Sequence, residues 1–446
     1  MDSKKLAQTI GKMEDAMDRI HRRKTKEREE AIEKNEEIEK NGGTEKDFVP
    51  VPKAWSDRTN DTYKDMMKSF IRDVNKETGF ADMKKIVGQF ENHMQKRLDK
   101  YHAGERNESY NVKTLIAAVK AYNEGVMNTV AFSKVPANRE KFVVQNVDVM
   151  QKHLKETNVI RHSGASKVLT ATGKEVESVL DNIKNNGRGM KDDRHDIRKI
   201  SYVTSKLQYA AGGRITNTLK VTVAQVKEVL ATGKMSFIKD KGGLSREVID
   251  VKLDAELRTE LTKMIDKKSD DTRAFIAKKM DGKFLSINET RKKISRFVKE
   301  AGKHLTREET VSVKDRDGKK TSITVTKEFS THSFRKAHAL QKVVDYLDKF
   351  KTREAAEEYI KERSKAEPKI WSKYKREINR LNRDRNKNRE MTRLEMAYYM
   401  TSVDLGHFRL GIIENYYAPT EMALEHYQNT FGEEYEGFGD ETKRGR

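Results

Sequence analysis

The stretch SVDLGHFRLGIIENYYAPT, residues 402–420, places Tyr416 nine positions after the histidine of Leu405-Gly406-His407. Upstream, FSTHSFRKAHAL (329–340) carries His332 and Arg335, the latter 72 positions before His407. The residue types suit one chemistry. An arginine fork can hold two oxygens of one phosphate, an imidazole can donate or accept a proton, and a phenol can form a covalent intermediate. Two histidines, an arginine and a tyrosine in this order are the parts needed to open a phosphodiester with a side chain instead of water.

The rest of the chain agrees with a polyanionic partner. Its 446 residues contain 92 Lys and Arg against 71 Asp and Glu, a net charge of +21. Such an excess favours nucleic acid ahead of an anionic membrane. Hydrophobic residues make up 35% and charged residues 37%, which implies a modest core and much solvated helical surface. No apolar run approaches the roughly 18 residues of a membrane span, and MDSKKLAQTI at the start lacks the apolar core of a signal peptide. The expectation is a cytoplasmic protein with no membrane association. The absence of cysteine excludes disulfides, Cys-ligated zinc and thiol catalysis.

Length allows two or three domains. Residues 1–47 are polar, charged and helix-forming, ending near Asn41-Gly42-Gly43, and read as a solvated helical arm. Pro50 and Pro52 mark a linker. From 48 to 185 apolar residues recur at helical spacing, as in Met66, Phe70, Ile71 and Val74, predicting a domain of four or five helices. The texture changes at about 186. A helix near 195–211 runs into Gly212-Gly213, and LKVTV (219–223) and MSFIKDKGGLSREVIDVKL (235–253) read as strands, with Gly242-Gly243 at a hairpin turn. A second hairpin is predicted over 309–327, turning at Asp317-Gly318. Helices return after 332, residues 345–395 are polar and basic, and 421–446 read as an amphipathic helix followed by a charged tail. The fold class is therefore mainly α with a small β-sheet.

Taken in order, these segments resemble the tyrosine recombinase (phage integrase) superfamily, which shares its catalytic core with type IB topoisomerases and telomere resolvases. The resemblance covers roughly 175–420 and is most specific in the Leu-Gly-His box with its tyrosine. LQYAAGGRITNTLKV resembles the first arginine box, FIKDKGGLSREVIDV the hairpin bearing the catalytic lysine, and FSTHSFRKAHAL the His-x-x-Arg box. The resemblance implies a helical core-binding domain over 48–185 and a catalytic domain over 186–420, closing on duplex DNA as a C-shaped clamp.

It also implies roles. Arg214 and Arg335 would clamp the scissile phosphate, His332 and His407 would bond it, and Lys241 would protonate the departing 5′ oxygen. Lys239 competes with Lys241 for that role, whereas His338 does not fit the box spacing. Tyr416, favoured over Tyr417 by the nine-residue gap, would attack phosphorus to give a 3′-phosphotyrosine. No cofactor or metal is implied. The implied partners are double-stranded DNA with a specific, inverted-repeat site and further copies of the chain in a dimer or tetramer.

Two features depart from the pattern. Gly-Gly-Arg-Ile-Thr-Asn replaces the usual run after the first arginine, and about 45–50 extra residues separate Arg335 from His407. That basic insertion carries Trp371 and Tyr374, and reads either as a helix lying along DNA or as a solvated hairpin projecting from the core. The leading expectation is a site-specific recombinase for integration or resolution. The alternatives are a telomere resolvase forming hairpin ends, a type IB topoisomerase, and an architectural DNA-binding protein that has lost activity.

Overall fold

A computed structural model of the chain describes residues 3–40, 47–103, 105, 108–156, 159, 166–185, 197–238, 245–278, 282–314, 320–385, 389–432 and 435. They are mostly helical, with two small two-stranded sheets. The chain divides into two compact units, residues 1–165 with 312–323, and residues 166–311 with 324–446. The division after 165 falls earlier than the change of texture near 186, so the helix ending at Asn185 belongs with the second unit. Among the described residues, no helix is long and apolar enough to cross a membrane.

The first unit is built from α1 (Ser3–Lys40), α2 (Asp57–Thr78), α3 (Met83–Val87), α4 (Phe90–His102), α5 (Glu108–Asn128) and α6 (Val147–Glu156). The expectation of a solvated arm is corrected here. Met13, Ala16, Met17 and Ile20 recur at spacings of three and four, form one stripe of α1, and are fully buried beside Met67, Phe70 and Tyr122. Burying Met13, Met17 and Ile20 stabilises the unit by about 1.5–3 kcal/mol each, which outweighs the polarity of the helix's other face. The proline linker is strapped back on α1, where the Asn35 side chain exchanges two hydrogen bonds with the Val49 backbone at 2.8 and 2.9 Å.

The second unit follows as α7 (Gly173–Asn185), α8 (Ile197–Ala211), α9 (Ile215–Thr218), α10 (Val223–Thr232), β1 (Met235–Phe237), β2 (Arg246–Val248), α11 (Ala255–Ile265), α12 (Ile287–Ala301), and the strands β3 (Thr306–Lys314) and β4 (Lys320–Glu328), of which residues 312–314 and 320–323 are counted with the first unit. Then come α13 (Thr331–Lys349), α14 (Arg353–Ala366), α15 (Lys369–Arg385), α16 (Arg393–Asp404), α17 (Leu410–Ile412), a π turn at Ile413–Tyr417, and α18 (Thr420–Phe431). Strands β1 and β2 pair antiparallel with Met235 opposite Val248, and β3 pairs with β4. Both predicted hairpins therefore form; their turns at 242–243 and 317–318 lie outside the described residues. LKVTV is not a strand. Thr222 instead caps α10 in a reciprocal capping box with Gln225, a local arrangement that competes with extended pairing.

Helix α13 organises this unit. Phe334 and Ala337 enter one apolar core with α7, α8, α10, α11 and α12. Farther along the same helix, Leu340, Val343, Val344 and Leu347 enter a second core with α14–α18. One side chain on α13 can thus be held from both cores.

The insertion does not project into solvent. Ala356, Ile360, Ile370, Tyr374 and Leu381 are buried in the second core. Tyr374 is buried, stacks on the partly buried Trp371 and packs against Tyr399, so it is a core residue. Helix α18 docks within the chain, burying Ala423 and Tyr427, with His426 hydrogen-bonded to Gln341 at 2.9 Å.

Candidate active site

The site begins where α8 stops. Gly212 adopts φ +61°, and a side chain there would strike the His338 ring at 2.5 Å and Leu405 at 2.9 Å. Only glycine allows so close an approach. It leaves the Gly212 carbonyl facing inward, where it accepts from Arg335 Nη1 and from Arg246 Nη2, the latter at 3.2 Å. Arg214 follows in extended backbone ahead of α9. Its Nη2 lies 3.5 Å from His407 Nε2.

Arg335 comes from the first turns of α13. Ser330 and Ser333 cap that helix reciprocally, with the His332 amide donating to Ser330 Oγ at 3.3 Å. The Arg335 side chain is 0% exposed. Its guanidinium donates to the Gly212 carbonyl, to the Leu405 carbonyl at 2.9 Å and to the Tyr417 hydroxyl at 3.2 Å, and it faces His407 Nε2 at 3.4 Å. A buried cation costs several kcal/mol unless its donors find acceptors. Here two inward-facing carbonyls provide them.

His407 is delivered by the end of α16. Gly406 takes φ +74° and Phe408 φ 53°, both left-handed, so the chain reverses sharply around His407. Ser402 fixes the reversal, its carbonyl accepting from the His407 amide at 2.8 Å and its hydroxyl from the Arg409 amide at 2.5 Å. The strained Phe408 is held by α15, whose Lys373 ammonium sits 4.1 Å over its ring. Helix α15 also supplies Glu377, which accepts from the Leu410 amide at 3.0 Å and from the Arg380 fork at 2.8 Å twice. The insertion therefore anchors the segment that carries the tyrosines.

That segment ends in the π turn Ile413–Tyr417, closed by the Ala418 amide bonding the Ile413 carbonyl at 2.8 Å. Tyr416 and Tyr417 stand edge to face, with ring centroids 4.9 Å apart. Both pack on His332, at 5.8 and 5.5 Å. It is the Tyr417 hydroxyl, however, that enters the cluster. It accepts from Arg335 Nε and lies 3.4 Å from His407 Nε2. Tyr416 is half-buried beside it, with the Lys336 ammonium 4.4 Å over its ring.

Electrostatics favour an anion. Burial first, then the charges of Arg335, Lys336 and Arg214, push the His332 imidazole down to about 3, leaving the ring neutral at pH 7 with a lone pair to offer. Burial also lowers Lys336 to about 8, assisted by Lys327, while its Nζ donates to the Val168 carbonyl at 2.9 Å. Burial raises the Tyr416 phenol, opposed by a hydrogen bond with Ser166 and by the charge of Arg335.

Of the six residues predicted from the sequence, Arg214, Arg335 and His407 converge on one point, and His332 and Tyr416 lie next to it. Lys241 and its competitor Lys239 lie outside the described residues. The sequence reading weighed Tyr417 only as the less favoured tyrosine and did not single out Arg246 or Lys336. Arg246 donates to the Asp404 and Gly212 carbonyls and stacks on Phe237 at 4.4 Å, so β2 reaches the back of the site. Arg246 lies in FIKDKGGLSREVIDV, a segment the sequence reading quoted only for its lysine. No protein-family model and no curated protein matches the chain.

Proposed function

We propose that this protein cuts and rejoins DNA through a covalent phosphotyrosine, as a site-specific recombinase of the tyrosine recombinase kind. The observation that carries the reading is the meeting of Arg214, Arg335 and His407 beside a tyrosine pair, from positions as much as 193 residues apart. Fixed N–H donors around one point stabilise charge developing on phosphate oxygens. Tyr416 Oη forms a bond to phosphorus while the bond to the 5′ oxygen breaks. The phenol proton passes to His332 once the bound phosphate's negative charge offsets the Arg335, Lys336 and Arg214 charges that add to burial in lowering its basicity, and Lys241 supplies one to the leaving oxygen. The 5′ hydroxyl of the same or another strand then reverses the step, so the phosphodiester energy is conserved. The net charge of +21 supports a duplex partner. In this reading the two units close on DNA as a clamp, and copies of the chain assemble as a dimer or tetramer on an inverted-repeat site.

A nicked duplex carrying the protein's own recombination site tests it. Wild type forms a covalent adduct that denaturing gels resolve, peptide mapping places it on Tyr416, and Tyr416→Phe lowers it by about 10⁴-fold or more. No adduct, or equal adduct from Tyr416→Phe, sinks the proposal. Product geometry then separates recombination from hairpin formation and from relaxation of supercoils.

A further inference from the structure

The DNA-free arrangement poses a steric problem. Arg335 is 0% exposed and the Tyr417 side chain is buried beside it. No phosphate oxygen can reach the guanidinium while the Tyr417 hydroxyl sits 3.2 Å from its Nε and 3.4 Å from His407 Nε2. Those two contacts are ones a phosphate oxygen would make, an acceptor placed between an arginine donor and an imidazole nitrogen. The phenol oxygen therefore stands in for the substrate's anionic oxygen.

The backbone supplies a way out. The turn Ile413–Tyr417 is π-helical, with the Ile413 carbonyl bonded to the amide five residues on, that of Ala418. Such turns hold one residue more than an α turn and are found as isolated features at functional sites. If the turn rewinds to α, the Tyr417 amide takes the bond that Ala418 makes now. Each side chain then moves up one place, bringing Tyr416 to where Tyr417 stands and carrying Tyr417 out of the cluster. Little in the surroundings has to be rebuilt, because both rings already pack on His332 at 5.8 and 5.5 Å. Three Tyr417 contacts among the described residues hold the π state: its hydroxyl with Arg335 Nε and His407 Nε2, and its carbonyl, which accepts from Thr170 Oγ1 at 3.2 Å.

We infer that Tyr417 is an internal plug of the phosphate clamp, exchanged for Tyr416 by a π-to-α change of register when phosphate enters. This deepens the proposed function and rests on its assignment of Tyr416 as nucleophile, but the plug itself is testable without any cutting. The probe is inorganic phosphate, titrated into the full chain by calorimetry. Tyr417→Phe removes the hydroxyl and keeps the ring, and Tyr417→Ala removes both. Should the Ala variant fail to fold, the Phe variant decides alone.

Both variants are expected to bind phosphate more tightly than wild type, by about tenfold if the plugged state is favoured tenfold. Adding Arg214→Ala to Tyr417→Phe should abolish the gain. Affinity equal to or weaker than wild type in folded Tyr417→Phe, no measurable binding by it, or a gain that survives Arg214→Ala overturns the inference. If phosphate tightens as expected but no DNA adduct ever forms, strand cutting fails and the plug stands. If the adduct forms on Tyr416 and phosphate affinity ignores Tyr417, the plug alone fails.

Discussion

At the residue scale, the site places ionisable groups where burial works against their charge. His332 shows the consequence most directly. In the unfolded chain its imidazole takes a proton as pH falls through about 6.5, whereas the native ring resists until about 3. Between those values the unfolded state holds more protons, so stability falls as pH falls, by up to about 1.4 kcal/mol per pH unit for this group. Burial also lowers the pKa of His338, which adds to the same slope. Melting temperature measured from pH 7 to pH 4 should drop steeply for wild type and less steeply for His332→Asn. Equal slopes would show that His332 titrates normally in the native protein. The residues of the His-x-x-Arg and Leu-Gly-His boxes were legible because their spacing is local and their types are chemically demanding. Which tyrosine hydroxyl meets Arg335 was not, because a π turn adds a residue that no sequence period reveals.

At the scale of elements, the insertion between Arg335 and His407 changes meaning. It is rich in Lys, Arg and Glu and reads as a solvated or DNA-facing hairpin, yet α14 and α15 support the segment that carries His407 and the two tyrosines. Asp404, the last residue of α16, is 2% exposed. Its carboxylate accepts from the Tyr346 hydroxyl at 2.7 Å and pairs with Arg363 of α14 at 3.5 Å. Breaking a buried pair by removing one partner strands the other charge, at a cost of about 3–5 kcal/mol. Arg363→Ala should therefore lower the denaturant midpoint of the full chain clearly, and Asp404→Asn in that background should recover part of the loss. A surface-like effect below about 0.5 kcal/mol would mean that α14 does not hold Asp404. Helix α1 teaches the same lesson. Its charge count suggested an arm, but the stripe Met13, Met17 and Ile20 decided the outcome, because apolar area removed from water outweighs an exposed polar face that loses nothing on packing.

At the scale of the whole molecule, the proposed function assigns the excess of basic residues to binding duplex DNA, which salt dependence can test. A chain of net charge +21 that neutralises duplex phosphates releases their counterions. Its noncovalent affinity for a generic duplex should fall by about 10³–10⁵ between 50 and 200 mM salt, read by fluorescence anisotropy. A nearly flat dependence would argue that the basic surface does not track a DNA backbone.

The sequence by itself determined the mainly helical class, both hairpins and the glycine stop at Gly212. All of these follow from short-range rules of period and left-handed backbone. Only the tertiary structure decided that Arg246 and Arg335 share the Gly212 carbonyl, that the insertion is a buttress, and that the Tyr417 hydroxyl meets Arg335 and His407. Those outcomes depend on which buried donors find which acceptors across long stretches of chain, and one-dimensional spacing carries no record of that.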